Sequence, residues 1–254
     1  MVIHTKFLNV NITMKKSLIL WILNVLILVE TKPSCTDNDL YALILARGGS
    51  KGIKNKNMVE IDGLSLLSRT VLTIRNSSCF QHIWVSTDDK KIAMEAEKYG
   101  ARVHIRPPHY ARDESSSIEA VMEFLEVHSK VQNFSLFQCT SVFLRENYIQ
   151  EAVEKFQTHD CVFAVKRIHF LRWKMVDDKI LPVGFNAEAR PRRQDWSGDL
   201  VEAGMFYFSK RKLAMKGIFQ NEKCSVVEIA PEDGLEIDSY RDLTIARSII
   251  KDEL

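Results

Sequence analysis

From Leu40 onward the chain alternates short apolar runs with amphipathic stretches. Leu40 to Ala46 is almost continuously apolar, which predicts a central strand covered on both faces. After Gly63, Leu67, Val71 and Ile74 recur at helical spacing. His82 to Thr87 reads as a strand, Lys90 to Tyr99 as a helix stopped by Gly100, and Ala101 to Arg106 again as a strand. Ser116 and Glu119 have capping-box spacing and open a helix with Ile118, Val121, Met122 and Leu125 on one face. Phe134 to Cys139, Tyr148 to Phe156 and Cys161 to Lys166 continue the alternation. Met205 to Phe208 and Ser225 to Ile229 read as returning strands, and Ser239 to Lys251 as a closing helix. Strands alternating with helices predict an α/β fold with a mostly parallel central sheet. The pattern breaks between Ile168 and Val201, a stretch rich in Arg, Pro, Trp and Asp that reads as an excursion from the sheet carrying an oligomer contact.

The length of 254 residues suits one sizeable core and is short for two full domains. With 35 basic and 33 acidic side chains the net charge is +2, which gives no support to a nucleic-acid binder. Residues 1–34 carry four lysines and one glutamate, so the slight basicity belongs to that segment. Within it, Ser17 to Val29 is an apolar run of 13 residues preceded by Lys15 and Lys16. As a helix it spans about 20 Å, short of the ~30 Å hydrocarbon core, so it reads as a signal peptide or an uncleaved signal anchor. Any membrane contact would come through this leader. The last four residues, Lys251, Asp252, Glu253 and Leu254, match the address that a KDEL-type receptor reads in returning proteins to the endoplasmic reticulum. Both ends therefore point to the lumen of the secretory pathway, with Golgi cycling an option. There Asn76 and Asn133 head glycosylation triplets, whereas Asn11 lies upstream of the leader. Five cysteines (Cys35, Cys79, Cys139, Cys161 and Cys224) fit no zinc spacing; some can pair, and the odd count leaves at least one free or removed with the leader.

The first strand runs into Ala46-Arg47-Gly48-Gly49-Ser50-Lys51-Gly52, followed by Lys56 and Asn57. Three glycines let the backbone turn tightly and aim N–H groups at an anion, and Arg47, Lys51 and Lys56 supply the charge a triphosphate requires. The spacing fits neither the dinucleotide fingerprint nor the P-loop. The stretch LARGGSKGIKNKN closely resembles the nucleotide-binding signature of the CMP-sialic acid synthetases, the N-acylneuraminate cytidylyltransferases. The likeness runs from about Tyr41 to Asp242 and includes WVSTDD (Trp84 to Asp89), QCTS (Gln138 to Ser141), RPRRQDW (Arg190 to Trp196) and EIDSY (Glu236 to Tyr240).

The resemblance implies a Rossmann-like nucleotidyltransferase over residues 39–250, homodimeric through the inserted segment at 168–201. It implies that Arg47, Gly48, Gly49, Ser50, Lys51, Lys56 and Asn57 hold the triphosphate and ribose of CTP, and that Arg106, Ala111 and Ser115 recognise cytosine. Gln138, Thr140 and Ser141 would lie between nucleotide and sugar. Arg172, Arg190, Arg192 and Arg193 are candidates for the sugar carboxylate and Phe206 for its N-acyl group, although an aromatic on that strand also reads as core. Glu236 and Asp238 lie two apart, which on a strand puts both carboxylates on one face, suited to Mg²⁺ or another divalent metal. Asp238 reads equally as the N-cap of the last helix. Arg47, Lys51, Lys56, Gln138 and Asp238 are the expected catalytic set.

The chain departs from the family pattern at Lys54 and Val142, where proline is common, at Glu236, where aspartate is usual, and at Val201 and Ala203. Cys139 within the substrate loop is either redox-sensitive or a buried inert thiol. The expected reaction transfers CMP from CTP to the anomeric hydroxyl of a sialic acid. The same chemistry on another ulosonic acid such as Kdo, and a catalytically silent luminal binding module, remain as alternatives.

Overall fold

A computed structural model describes Cys35 and residues 39–252. Residues 1–34 with the expected leader and Asn11, and the last two residues of the expected address, lie outside the described residues. Among the described residues, no helix is long and apolar enough to cross a membrane.

Seven strands form the main sheet: β1 (Leu40–Leu45), β4 (His82–Thr87), β5 (Arg102–Ile105), β6 (Asn133–Phe137), β7 (Cys161–Ile168), β10 (Asp199–Lys210) and β11 (Cys224–Ile229), in the order β11-β7-β10-β6-β1-β4-β5. β1 pairs in parallel with both β4 and β6, and β7 with β11, while β10 runs antiparallel to β6 and β7. The sheet is thus mostly parallel with one reversed strand. Its order changes direction at β1, and the crevice at such a switch point is where open α/β sheets bind ligands.

Alternation along β1 divides the core. Leu40, Ala42 and Ile44 pack on one face with Leu67, Val71 and Ile74 of α1 (Leu66–Ser77), Ile92 and Ala96 of α2 (Lys90–Lys98), Ile149, Ala152 and Val153 of α4 (Glu146–Phe156), and Leu243 and Ala246 of α6 (Tyr240–Asp252). Leu43 joins Val121, Phe124 and Leu125 of α3 (Ser117–Val127) and Ala214 of the short α5 (Arg211–Ala214) on the other. A strand buried on both faces has no polar side to show, which explains the apolar run. Side-chain caps fix the helix starts: Ser65 accepts from Ser68 N–H, Asp89 from Lys91 and Ile92 N–H, and Ser116 and Glu119 form the expected capping box.

The excursion after β7 contains a hairpin, β8 (Arg172–Val176) and β9 (Lys179–Val183), joined through Asp177 and Asp178 at φ 47° and 59°. Two left-handed residues in a two-residue loop give a turn whose twist matches the strands. β10 is longer than expected because it begins at Asp199 and pairs with the end of β7 before continuing through the expected Met205 to Phe208. The remaining two-stranded sheet joins β2 (Glu60–Ile61) to β3 (Leu64–Ser65).

Cys35 bonds to Cys79, and Cys161 to Cys224 across the β7–β11 register, leaving Cys139 free and buried. Asn76 is exposed near the end of α1; Asn133 opens β6 half-buried, two residues before the fully buried Ser135.

Asp233, almost completely buried after β11, joins the segments that follow β6 and β11. It accepts from Arg145 Nε and a terminal guanidinium nitrogen at 2.7 Å each and from the Tyr148 hydroxyl at 2.7 Å, while that hydroxyl accepts from Ala230 N–H at 3.0 Å. Burial pushes the carboxyl up, but Arg145 and Tyr148 outweigh it and hold the value below the ordinary carboxylate range. Asp233→Ala removes the buried carboxylate that accepts from Arg145 and Tyr148 and is expected to cost about 2 kcal/mol in denaturant unfolding; a loss under about 0.5 kcal/mol would contradict this role. Because the folded value is depressed, this stabilisation is present above the unfolded carboxyl pKa of about 3.9 and fades as pH falls through the folded value.

Candidate active site

At the carboxyl ends of β1 and β6 lies a cavity of about 470 Å³ whose lining includes Arg47, Ser50, Lys51, Lys56, Asn57, Arg106, Ser115, Gln138, Thr140 and Asp238. These are residues from both ends of the chain, gathered by the switch point. The glycine loop needs its glycines where the chain passes close to other groups. A Cβ on Gly48 would sit 2.9 Å from the Asp89 side chain, and one on Gly52 would sit 2.9 Å from the Asp238 carbonyl oxygen. Gly48 N–H donates to Asp88 Oδ1 at 2.9 Å, and Asn57 Nδ2 donates to the Arg47 carbonyl at 3.1 Å. The STDD and KN motifs therefore brace the loop from beneath, and the nearly buried Asn57 holds Arg47 at the strand end.

Arg106 is buried at the opposite wall, donating from Nε to Ser86 Oγ at 2.9 Å and from a terminal nitrogen to Ser86 O at 2.6 Å. Burial lowers its pKa to about 10, so it stays charged at neutral pH. Sequence reasoning alone left a solvated strand-end charge open for this residue; the structure encloses it.

The carboxylates at the mouth are in ion pairs. Asp113 bridges Arg47 and Lys51, at 2.5 Å each, and Asp238 accepts from Lys56 Nζ at 3.0 Å. Hydrogen bonding to Lys51 and then Arg47 lowers the Asp113 pKa. The start of α6 is capped by Ser239 with Asp242, whose Oδ2 accepts from Ser239 N–H at 2.7 Å and whose N–H donates back to Ser239 Oγ at 3.3 Å. The alternative reading of Asp238 as that cap gives way, and its carboxylate stays largely exposed at the cavity mouth.

Several expected partners lie elsewhere. Glu236 belongs to an isolated bridge with Ser141, and its Oε1 accepts from Gly204 N–H at 2.7 Å. It does not line the cavity, so the expected carboxylate pair is not formed there. The strand premise fails because only a bridge, flanked by Ile237 N–H donating to Thr140 O, exists at that point. Phe206 is fully buried against Phe137 and Phe208, so the core reading holds and no ring surface faces a sugar. Arg172 pairs with Asp199 and Arg192 with Asp195, and these two together with the exposed Arg190 and Arg193 sit outside the cavity lining. Gly48, Gly49, Ala111 and Ser141 support the walls without lining them, and Ser141 Oγ is buried without a partner. Val142 and Ala203 are buried and Val201 half-buried, so these departures are absorbed in packing.

Among the described residues, no three or more His, Cys, Asp or Glu side chains are grouped to hold a metal. Of the two lining carboxylates, Asp113 and Asp238, the latter is the more exposed and suits a hard divalent ion that takes most of its oxygens from phosphates and water. Sequence reasoning missed Asp113, Tyr110, Arg112 and Ser117 in the lining. The signal available was the position of Asp113 inside the loop already singled out for Arg106, Ala111 and Ser115.

The family model described as Cytidylyltransferase matches residues 41–236. The chain belongs to the cytidylyltransferase family. It is 42% identical over 211 residues to N-acylneuraminate cytidylyltransferase A of Danio rerio, covering 81% of this chain and 49% of that protein. It is 38% identical over 224 residues to N-acylneuraminate cytidylyltransferase B of the same organism, covering 86% and 53%. The chain thus spans about half the length of these curated relatives. A solved CMP:2-keto-3-deoxy-manno-octonic acid synthetase complexed with CTP superposes with a TM-score of 0.65, over 85% of this chain and 100% of that one, at 14% identity. That likeness shows the fold: a Rossmann-like nucleotidyltransferase.

Cys139 lines the cavity floor yet is enclosed, and burial pushes its thiol up to about 12. Thiol titration without reductant is expected to find no reactive cysteine in the native protein and one after denaturation. Rapid native labelling would contradict an inert Cys139.

Proposed function

We propose that the chain transfers the cytidylyl group of CTP to the anomeric hydroxyl of an N-acylneuraminate and releases pyrophosphate. The observation that carries this reading is the convergence of Arg47, Lys51 and Lys56 on one end of a cavity whose other wall holds the buried Arg106. In this reading the loop cations and backbone N–H groups bind the triphosphate, and the Arg106 wall with Ser115 receives the base. Gln138 and Thr140 form the polar floor on which the sugar hydroxyl is set beside the α-phosphorus.

The hydroxyl oxygen attacks that phosphorus in line. A new O–P bond forms while the bond to the bridging oxygen of the β-phosphate breaks, and pyrophosphate departs with the electron pair. The hydroxyl proton is lost to water. Arg47, Lys51 and Lys56 balance the charge growing on the leaving pyrophosphate. A bound Mg²⁺ would supply further neutralisation of the phosphates, and Asp238 is the residue that would hold it. Similarity to N-acylneuraminate cytidylyltransferases supports this acceptor over Kdo and over a silent binding module.

The same proposal includes a homodimer. The β8–β9 hairpin exposes Trp173, Met175, Ile180 and Leu181, with Met175 at 71% and Ile180 at 61% exposure. An isolated two-stranded ribbon with an apolar surface needs a partner to cover it, and a second copy supplies the same surface. The proposal also places the chain in the secretory lumen, where a KDEL-type receptor would read residues 251–254. Two disulfides engaging four of five cysteines support an oxidising compartment, as do glycosylation triplets at Asn76 and Asn133. Five free thiols in protein taken from its native compartment would count against that placement.

Purified full chain with CTP, Mg²⁺ and a panel of N-acetylneuraminate and Kdo is expected to form CMP-N-acetylneuraminate and pyrophosphate. CTP binding without product for either sugar would overturn the catalytic reading. Asp238→Asn is expected to lower kcat about a hundredfold or more while CTP affinity changes only a few-fold; unchanged turnover would remove Asp238 from the mechanism. Ile180→Asp with Met175→Asp is expected to convert a dimer to a monomer in light scattering, and an unchanged mass would remove the hairpin from the interface.

A further inference from the structure

Five cationic side chains, Arg47, Lys51, Lys56, Arg106 and Arg112, line one open cavity and must be balanced before any phosphate arrives. The structure shows what balances two of them. Asp113, on the loop between β5 and α3, reaches across the cavity mouth to Arg47 and Lys51 on the glycine loop. Its carboxylate is about 29% exposed and Lys51 79% exposed; the ion pair with Asp113 is the main attraction on that lysine, with Glu114 a weaker one. The two contacts use two of the three cations that the proposed function assigns to the leaving pyrophosphate. A carboxylate with one oxygen on each cation occupies the place of a phosphate bearing two oxygens.

From this geometry we infer that Asp113 is a positioning residue that acts as a built-in stand-in for phosphate. It holds Arg47 and Lys51 at phosphate spacing in the free protein, yields them when a polyphosphate enters, and takes them back as pyrophosphate leaves. The inference rests on the nucleotide reading above for its biological setting, but its chemistry concerns any polyphosphate. Two consequences follow from charge alone. First, Asp113 competes with the ligand, so its presence weakens polyphosphate binding. Second, it replaces the leaving pyrophosphate on the same cations, so its removal slows product release. No covalent step is involved. The supporting chemistry is the mutual stabilisation of the charged forms: contact with Asp113 raises the Lys51 pKa, and contact with Lys51 and Arg47 lowers that of Asp113.

The test compares full chain carrying Asp113→Asn or Asp113→Glu with the unaltered protein, by calorimetric titration with inorganic tripolyphosphate, pyrophosphate, CTP and cytidine. Asp113→Asn is expected to bind tripolyphosphate and pyrophosphate about three- to tenfold more tightly, because one screened ion-pair competitor has gone. Cytidine, which has no phosphate, is expected to bind as before. Asp113→Glu keeps the charge and is expected to stay within about twofold of the unaltered protein. In steady state, Asp113→Asn is expected to lower both the KM for CTP and kcat, with pyrophosphate a stronger product inhibitor. Equal or weaker tripolyphosphate binding by Asp113→Asn, or equal tightening by Asp113→Glu, would overturn the inference. A parallel loss of cytidine binding would mark Asp113 as a structural support and overturn it as well. The tripolyphosphate arm decides this inference alone, whereas preference for CTP over tripolyphosphate in the unaltered protein decides the nucleotide reading.

Discussion

Repulsion among Arg47, Lys51, Lys56 and Arg106 is the constraint around which the site is organised. Two unit charges about 8 Å apart repel by about 2 kcal/mol at an effective dielectric of about 20, and the cavity collects several such pairs. Asp113 and Asp238 offset this in the free protein, and Asp88 pins Gly48 from beneath so that the loop keeps its shape. The site is therefore a set of cations held at fixed spacing by carboxylates that a polyanion can replace. Preorganisation of this kind limits the reorganisation left to be done when charge develops during reaction.

The rest of the fold serves to hold those loops at one place. β1 carries the glycine loop, β6 the Gln138–Thr140 floor, and β5 the Arg106 wall, and all three run in parallel so their carboxyl ends meet at one edge. The reversed β10 lies between β6 and β7, and the bridge from Ser141 to Glu236 brings the chain back so that Asp238 arrives opposite Lys56. The buried Asp233, bonded to Arg145 and Tyr148, lies just before that return.

Local pattern made much of this readable in the sequence. β1 follows from an apolar run that only a doubly covered strand explains, and α3 follows from its capping box. The glycine-loop residues were legible because tight turning and positive charge are both written in residue type. What was illegible depends on distant partners. Glu236 is taken by Gly204 N–H, 32 residues away, and no spacing rule foretells a side chain turning to the backbone of another strand. Phe206 followed the core alternative because β10 is covered on both faces. Arg106 lies deeper than a strand-end residue usually does because Ser86 offers two acceptors beside it. Asp113 lay inside a loop already singled out, but a single acid there does not announce its partners; its meaning comes from Arg47 and Lys51.

In the function we propose, this arrangement of cations and carboxylates breaks CTP between its α- and β-phosphates at the demand of a sialic acid. Phosphorus NMR of the full chain with CTP and Mg²⁺ tests it most directly. The account predicts that the three CTP resonances persist without sugar and give way to one phosphodiester and one pyrophosphate signal when N-acetylneuraminate is added. CTP that stays intact with the sugar present, or that is hydrolysed equally without it, would contradict the account.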